Sequence, residues 1–156
     1  MPFAEDLLEQ AQHLARRDRT KPKQASRRRA ISTAYYSLFH LVVSEAVDNW
    51  KKPCQRTILA RAFDHSRMKN ASQQVVSRKF EGPPAPAVAH LKRVADAFYR
   101  LQELRHLAEY DNDVKWSRTA ALKAVELASA AFEAWQYIKD EKIAQDYLLQ
   151  LLVQRR

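Results

Sequence analysis

The sequence contains a single glycine, Gly82, among 156 residues. Phosphate-binding loops and dinucleotide-binding folds need several glycines where the backbone approaches the ligand closely. One glycine cannot supply such a loop, so these nucleotide-binding motifs are excluded. Residues that favour helices, above all Ala, Leu, Gln, Glu, Lys and Arg, dominate the chain. We therefore predict a protein that is nearly all helix.

Cysteines and long apolar runs are also scarce. Cys54 is the only cysteine, which excludes an intrachain disulfide and a thiolate metal cluster. No apolar run approaches the roughly 18 residues that a membrane span requires. The first residues, MPFAEDLLEQ, are acidic and lack the layout of a signal peptide. We predict one cytoplasmic domain over residues 1–156, with no membrane segment.

Apolar residues at helical spacing predict an all-α, up-down antiparallel bundle of about five helices. The expected helices cover residues 3–17, 23–50, 55–78, 86–110 and the stretch from Ser117 to the C-terminus. The third stretch is weak enough to divide into two short helices, and the last is expected to bend near Asp140. Ser117 is a suitable N-cap.

The net charge of +9 is unevenly distributed along the chain. Residues 1–80 carry 16 Lys and Arg against 7 Asp and Glu, whereas residues 81–156 carry 11 of each. The basic residues are densest between positions 16 and 29: Arg16, Arg17, Arg19, Lys21, Lys23, Arg27, Arg28 and Arg29. A localised basic surface is the electrostatic footprint of a nucleic-acid partner. The alternative is a solvated face that keeps the protein soluble.

One arginine interrupts an apolar helix face. Arg105 falls on the apolar side of the helix over 86–110, where it must find an acceptor or line a cavity. Gln102 and Glu109 lie one turn to either side, and His106 is adjacent. The alternative is an Arg105–Glu109 pair at the edge of the bundle, contributing about 0.2–0.5 kcal/mol when exposed.

The helix over 23–50 carries a second polar feature. Ser32, Tyr36 and His40 repeat every four residues opposite much of the apolar face, with Arg29 one turn earlier. Taken alone, Tyr36 and His40 are also what a packed helix interface with one hydrogen bond each requires.

Three stretches together resemble HEPN domains. RRRAISTAYYSLFHLVVSEAV, residues 27–47, is similar to the second helix of that family, in which Ala-Tyr-Tyr-x-x-Phe-His recurs. LQELRHLAEYDND, residues 101–113, resembles the family's Arg-x-x-Ala-Asp-Tyr segment, and AFDHSRMK, residues 62–69, resembles the Phe and His pattern between them. The resemblance covers nearly the whole chain. It implies a homodimeric bundle with an RNA-linked role, either as a metal-independent ribonuclease or as an inactive partner of a nucleotidyltransferase or similar module.

The family's nuclease signature, Arg-x(4–6)-His, is not met at the expected position. Tyr110 stands five residues after Arg105, where the histidine would fall. Arg100 and His106 fit the spacing but point about 120° apart on a helix. By the resemblance, an active site would use Arg105 to stabilise charge on the phosphate and His106 or His40 to move the proton of the 2′-hydroxyl. Tyr110 would orient the phosphate or the helix pair.

Three functions remain open from the sequence. The first is an HEPN-like module that dimerises and binds RNA or a nucleotide, acting with a nucleotidyltransferase or antitoxin partner and without strong catalysis. The second is a metal-independent, toxin-like endoribonuclease, and the third is a helical protein-interaction scaffold that docks through the apolar stretch IAQDYLLQLLVQRR. No metal site or cofactor is predicted. The predicted binding residues are Arg29, Tyr36, Gln102, Arg105 and Glu109.

Overall fold

A computed structural model describes residues 2–18, 20–21, 23–82 and 85–153. Arg19 of the basic cluster and the last three residues of the predicted docking stretch lie outside these ranges. The described residues form seven α-helices and no strand: α1 (Pro2–Arg16), α2 (Gln24–Asp48), α3 (Pro53–Ala60), α4 (His65–Ser77), α5 (Pro86–Tyr110), α6 (Arg118–Ile138) and α7 (Lys142–Leu152). The prediction of an all-α bundle is therefore confirmed. None of these helices is both long and apolar enough to cross a membrane.

The helix count exceeds the expected five because two of the predicted stretches divide. The third stretch breaks before Asp64, whose side chain accepts a hydrogen bond from the Arg67 backbone N–H and so begins α4. The last stretch breaks near Asp140 and continues as α7. Ser117 caps α6 by accepting from the Ala120 backbone N–H at 3.0 Å. Gly82 has a φ of +94° just before α5, a conformation that side chains with a Cβ rarely adopt.

Helix α2 lies at the centre of the bundle and packs against α1, α5 and α6. Its buried face includes Ile31, Tyr35 and Leu38, which pack with Phe98 of α5 and Trp135 of α6 in one continuous core. Burying side chains of this size stabilises the fold by about 1.5–3 kcal/mol each. Helix α7 docks on α4, where the buried hydroxyls of Ser72 and Tyr147 are 2.8 Å apart.

The chain path brings several helix ends together at one end of the bundle. Arg28 at the start of α2 donates to the backbone carbonyls of Ala108 and Asp111 at the end of α5, so these two helices run antiparallel. Gln24 bonds to Trp116, just before α6, and Arg118 donates to the carbonyl of Asp18. We call this region, where α1 and α5 end and α2 and α6 begin, the basic end.

Candidate functional site

Arg105 is the most deeply buried charged residue that the structure describes, with 9% of its surface exposed. It lies on the face of α5 that packs against α2, because its position continues the apolar spacing of that helix. Its Nε and Nη2 both donate to Oε1 of Gln102, at 3.2 and 3.0 Å, and its Nη1 forms an ion pair with Oε2 of Glu109 at 3.1 Å. Three of its four hydrogen bonds to described residues thus go to Gln102 and Glu109, one turn away on the same helix.

Two tyrosines of α2 complete the surroundings of Arg105. Its Nη1 donates to the Tyr36 hydroxyl at 3.3 Å, and the guanidinium lies 5.1 Å from the ring centre of Tyr35 and 5.7 Å from that of Tyr36. Burial opposes the charge of Arg105, but Tyr36, Glu109 and Tyr35 outweigh it, so the pKa of the guanidinium is raised. Its four hydrogen bonds to described residues use four of its five N–H groups.

The structure does not bring His106 and Tyr110 to Arg105. His106 is exposed, and its ring lies 4.9 Å from that of Tyr110, which is 68% exposed. Adjacent residues of a helix point about 100° apart, so His106 leaves the face that Arg105 occupies. Arg100 is exposed and pairs with Asp96 instead.

His40 lies farther along α2, toward the N-terminus of α1. Its half-buried ring contacts the edges of Phe3 and Phe39, at 4.9 and 5.2 Å between ring centres. Burial lowers the pKa of His40, so its ring is uncharged at neutral pH. No contact joins it to Arg105 among the described residues.

His65, at the start of α4, is the titratable residue that sequence reasoning left out of the site. Its Nδ1 lies 2.5 Å from the Tyr35 hydroxyl, and its ring stacks on Phe39 at 4.4 Å. Burial and then the positive charge of Arg105 lower the pKa of His65. Burial raises the pKa of Tyr35, so the phenol keeps its proton at neutral pH. In the sequence, His65 stands out only as part of the stretch AFDHSRMK. Its place near Arg105 follows from the contact of its ring with Tyr35 and Phe39 of α2, which the sequence does not show.

A shallow cleft of about 250 Å³ opens beside this cluster, between α2 and the end of α5. Three of the predicted binding residues line it, namely Arg29, Tyr36 and Glu109, together with the hydroxyl residues Ser32 and Thr33. Gln102 and Arg105 lie behind Tyr36 and Glu109, to which Arg105 is bonded. The five predicted binding residues are thus neighbours, and Arg29 is the one whose charge is exposed and has no ion-pair partner among the described residues.

The described basic residues between positions 16 and 29 fall into two groups, those that bond to backbone carbonyls and those that are exposed. Arg28 donates to the carbonyls of Ala108, Asp111 and Val114, all at 2.9 Å, and Arg27 donates to that of Trp116 at 2.6 Å. The exposed basic side chains, which the fold does not use in this way, are Arg16, Arg17, Lys21, Lys23 and Arg29. Arg17 makes a long ion pair with Asp18, at 4.0 Å.

In the part of the chain that the structure describes, no group of three or more His, Cys, Asp or Glu side chains is arranged to hold a metal ion. No family model matches the chain, and no curated protein or solved structure matches it.

Proposed function

We propose that this protein is an HEPN-like helical module of the cytoplasm that binds RNA or a nucleotide and acts with a partner protein, without strong catalysis of its own. The observation that carries the proposal is the set of exposed cations at the basic end, beside a cleft that Arg29 and Tyr36 line. Phosphate groups are the ligand that such a surface attracts, because each neutralised phosphate releases a counterion.

The arrangement around Arg105 supports a binding role over a catalytic one. Gln102, Tyr36 and Glu109 occupy four of its N–H groups, so a phosphate could not receive two parallel hydrogen bonds without displacing one of them. The predicted proton carrier His106 faces another direction. A nuclease would need the arginine and the base to converge on one phosphate.

The binding proposal is tested by titrating labelled RNA with the protein at several salt concentrations. Affinity should fall steeply as salt rises, and Arg29→Ala should weaken binding and reduce the salt slope by about one. Lys51→Ala is the matched control, because it removes one exposed charge just beyond the opposite end of α2. Equal effects of the two variants would contradict binding at the basic end.

Absence of RNA and nucleotide binding at any salt concentration would overturn the proposal. It would favour the interaction scaffold, for which the structure offers an apolar groove of about 380 Å³ between the end of α2 and α7. Trp50 and Leu149, 49% and 60% exposed, line that groove.

A metal-independent ribonuclease is the second candidate, and His65 is the observation that favours it. In that mechanism Nδ1 of His65 carries the ring proton and donates a hydrogen bond to the Tyr35 oxygen, which leaves Nε2 able to accept. The 2′-hydroxyl oxygen attacks the adjacent phosphorus, while Nε2 of His65 takes the hydroxyl proton. The bond to the 5′-oxygen breaks, and that oxygen takes a proton from water, leaving a cyclic phosphate and a 5′-hydroxyl. Its lowered pKa keeps His65 unprotonated and able to accept at neutral pH.

Incubation with mixed RNA in EDTA distinguishes the two candidates. The binding proposal predicts uncut RNA with the wild-type protein. Cleavage that Arg105→Ala and His65→Gln both abolish, with each variant folded by circular dichroism, would establish the ribonuclease instead.

The dimer is part of the proposal and has its own test. The HEPN resemblance implies the dimer, and Leu107 and Tyr110 on α5, 41% and 68% exposed, are side chains that a second copy would cover. Sedimentation velocity should give the mass of a dimer at micromolar concentration. A monomer at all concentrations would remove this part of the proposal and leave the binding proposal intact.

A further inference from the structure

One face of α2 carries polar and aromatic side chains that the core does not bury completely. Arg29 is exposed, and Tyr36, Phe39 and His40 are half-buried. Arg29, Tyr36 and His40 follow one another at intervals of seven and four residues, so they lie along one side of the helix. This side begins at the basic end and leads away from it.

Aromatic rings form a continuous series along this side. His65 of α4 lies 6.2 Å from Tyr36 and 4.4 Å from Phe39, measured between ring centres. Phe39 then contacts His40 at 5.2 Å, and His40 contacts Phe3 of α1 at 4.9 Å. We call Phe3, Tyr36, Phe39, His40 and His65 the aromatic strip.

The strip ends in a ring that the fold leaves open. Phe3 is 51% exposed, although a phenylalanine is usually buried because its apolar surface is costly to expose. Both histidines have a lowered pKa through burial, so at neutral pH they present uncharged rings. Positive charge at one end and uncharged rings along the rest suit a ligand that is itself part phosphate and part aromatic.

We propose that the aromatic strip binds single-stranded nucleic acid, with a base stacked on the exposed ring of Phe3, further bases along the half-buried rings beside it, and phosphates on Arg29 and the neighbouring cations. This inference rests on the proposed RNA-binding function and names the form of nucleic acid. Arg29 and His40 are separated by about 16 Å along the helix axis, a length that accommodates a few nucleotides. Stacking on aromatic side chains beside a basic groove is how proteins bind single strands without reading sequence.

A duplex would not be bound in this way. Its bases are already stacked on one another, so their faces are closed to Phe3 or Tyr36. The cations of the basic end would still attract duplex phosphates. We therefore expect the protein to prefer a single strand over a duplex of the same sequence, and the preference to depend on the rings.

The test compares Phe3→Ala with Tyr137→Ala in fluorescence anisotropy titrations of a labelled RNA 12-mer, single-stranded or annealed to its complement. Tyr137 is the matched control, because it is 75% exposed and, like Phe3, contacts a histidine ring, that of His90 at 5.0 Å. Phe3→Ala should weaken binding of the single strand roughly tenfold and leave duplex binding unchanged. Tyr137→Ala should change neither.

A DNA 12-mer of the same sequence shows whether the 2′-hydroxyl contributes. Equal affinity for the RNA and DNA single strands supports stacking alone, and tighter binding of RNA adds a contact to that hydroxyl while still requiring the rings. The inference is overturned if Phe3→Ala binds the single strand as wild type does, or if duplex binds as tightly as single strand. If Arg29→Ala still weakens RNA binding in that case, only the stacking inference is wrong and the proposed function stands. If no nucleic acid binds at all, both the inference and the proposed function are wrong.

Discussion

Arg105 connects two helices through side chains rather than backbone. Its guanidinium lies against the rings of Tyr35 and Tyr36 on α2 and is held on its own helix by Gln102 and Glu109. Each of these partners would lose a hydrogen bond or a charge in a partly buried place if the arginine were removed. At the scale of single residues, its first role is therefore to stabilise the packing of α5 on α2.

Arg105→Ala should lower the free energy of unfolding by about 2–3 kcal/mol, because it leaves the buried side chain of Gln102 without its donor and removes the contacts with the rings of Tyr35 and Tyr36. Urea denaturation measures this loss. Arg100→Ala is the control on the same helix, since it removes an exposed i,i+4 pair with Asp96 and should cost at most about 0.5 kcal/mol. Similar losses in the two variants would mean that Arg105 does not hold the helices together.

His40 and His65 make stability depend on pH. Both have a pKa below the ordinary value of 6.5 in the folded protein, mainly because burial disfavours the charged ring. Below that pH the unfolded chain takes up protons that the folded chain does not, so stability is full above about pH 7 and falls as the pH drops. The melting temperature should decrease from pH 7 to 5.5, and less so in His40→Leu. A melting temperature that is constant or rises over this range would contradict the assigned burial.

The sequence predicted some of these residues and missed another for a physical reason. Arg105 was found because a charge on an apolar helix face is visible from spacing within one helix. His65 was missed as a site residue because its contacts with Tyr35 and Phe39 come from a different helix. Reasoning from positions within one helix also placed His106 in the predicted site, because it is adjacent to Arg105 in sequence. In the structure its ring contacts Tyr110 instead.

At the scale of helices, a side chain of α2 holds the C-terminal end of α5. Helix α5 ends where three backbone carbonyls, those of Ala108, Asp111 and Val114, accept from the single side chain of Arg28. A cation at this place also complements the negative end of the helix dipole. The start of α2 thereby fixes the loop that leads into α6.

The adjacent residues Arg28 and Arg29 should differ in their roles, Arg28 stabilising the fold and Arg29 binding RNA. Arg28→Ala should lower the free energy of unfolding by about 2–3 kcal/mol, because charged hydrogen bonds to several carbonyls are lost. Arg29→Ala should change stability by less than about 0.5 kcal/mol, since that side chain is exposed and pairs with no residue that the structure describes, yet weaken RNA binding. Thermal unfolding and RNA titration of both variants test the assignment. A stability loss in Arg29→Ala equal to that in Arg28→Ala would refute it.

Most helices could be predicted from the sequence, but the breaks that divide two of the predicted stretches could be predicted only in part. Apolar spacing gave α2 and α5 within two residues at each end, because both carry long, strongly periodic faces. The division of the third stretch into two short helices, α3 and α4, was anticipated, whereas α7 was expected only as the continuation of α6 beyond a bend near Asp140. Asp64 caps α4, and Tyr147 of α7 packs against Ser72 of α4; spacing alone reveals neither contact.

For the whole molecule, the described basic residues between positions 16 and 29 gather at one end of the bundle and have two different roles there. Arg27 and Arg28 hold loops in place, whereas Arg29 and the exposed cations before it remain available to a ligand. Composition predicted where the charge is but could not separate these two groups, because the separation depends on which carbonyls the fold brings near. The HEPN resemblance stays a prediction, compatible with the helical bundle and with the site around Arg105.

The most direct test of the account is a titration of labelled single-stranded RNA with the wild-type protein, in EDTA, over a series of salt concentrations. The proposed function requires that the logarithm of the affinity fall linearly with the logarithm of the salt concentration and that the RNA remain uncut throughout. Binding that does not change with salt, no binding at low salt, or cleavage of the RNA would contradict it.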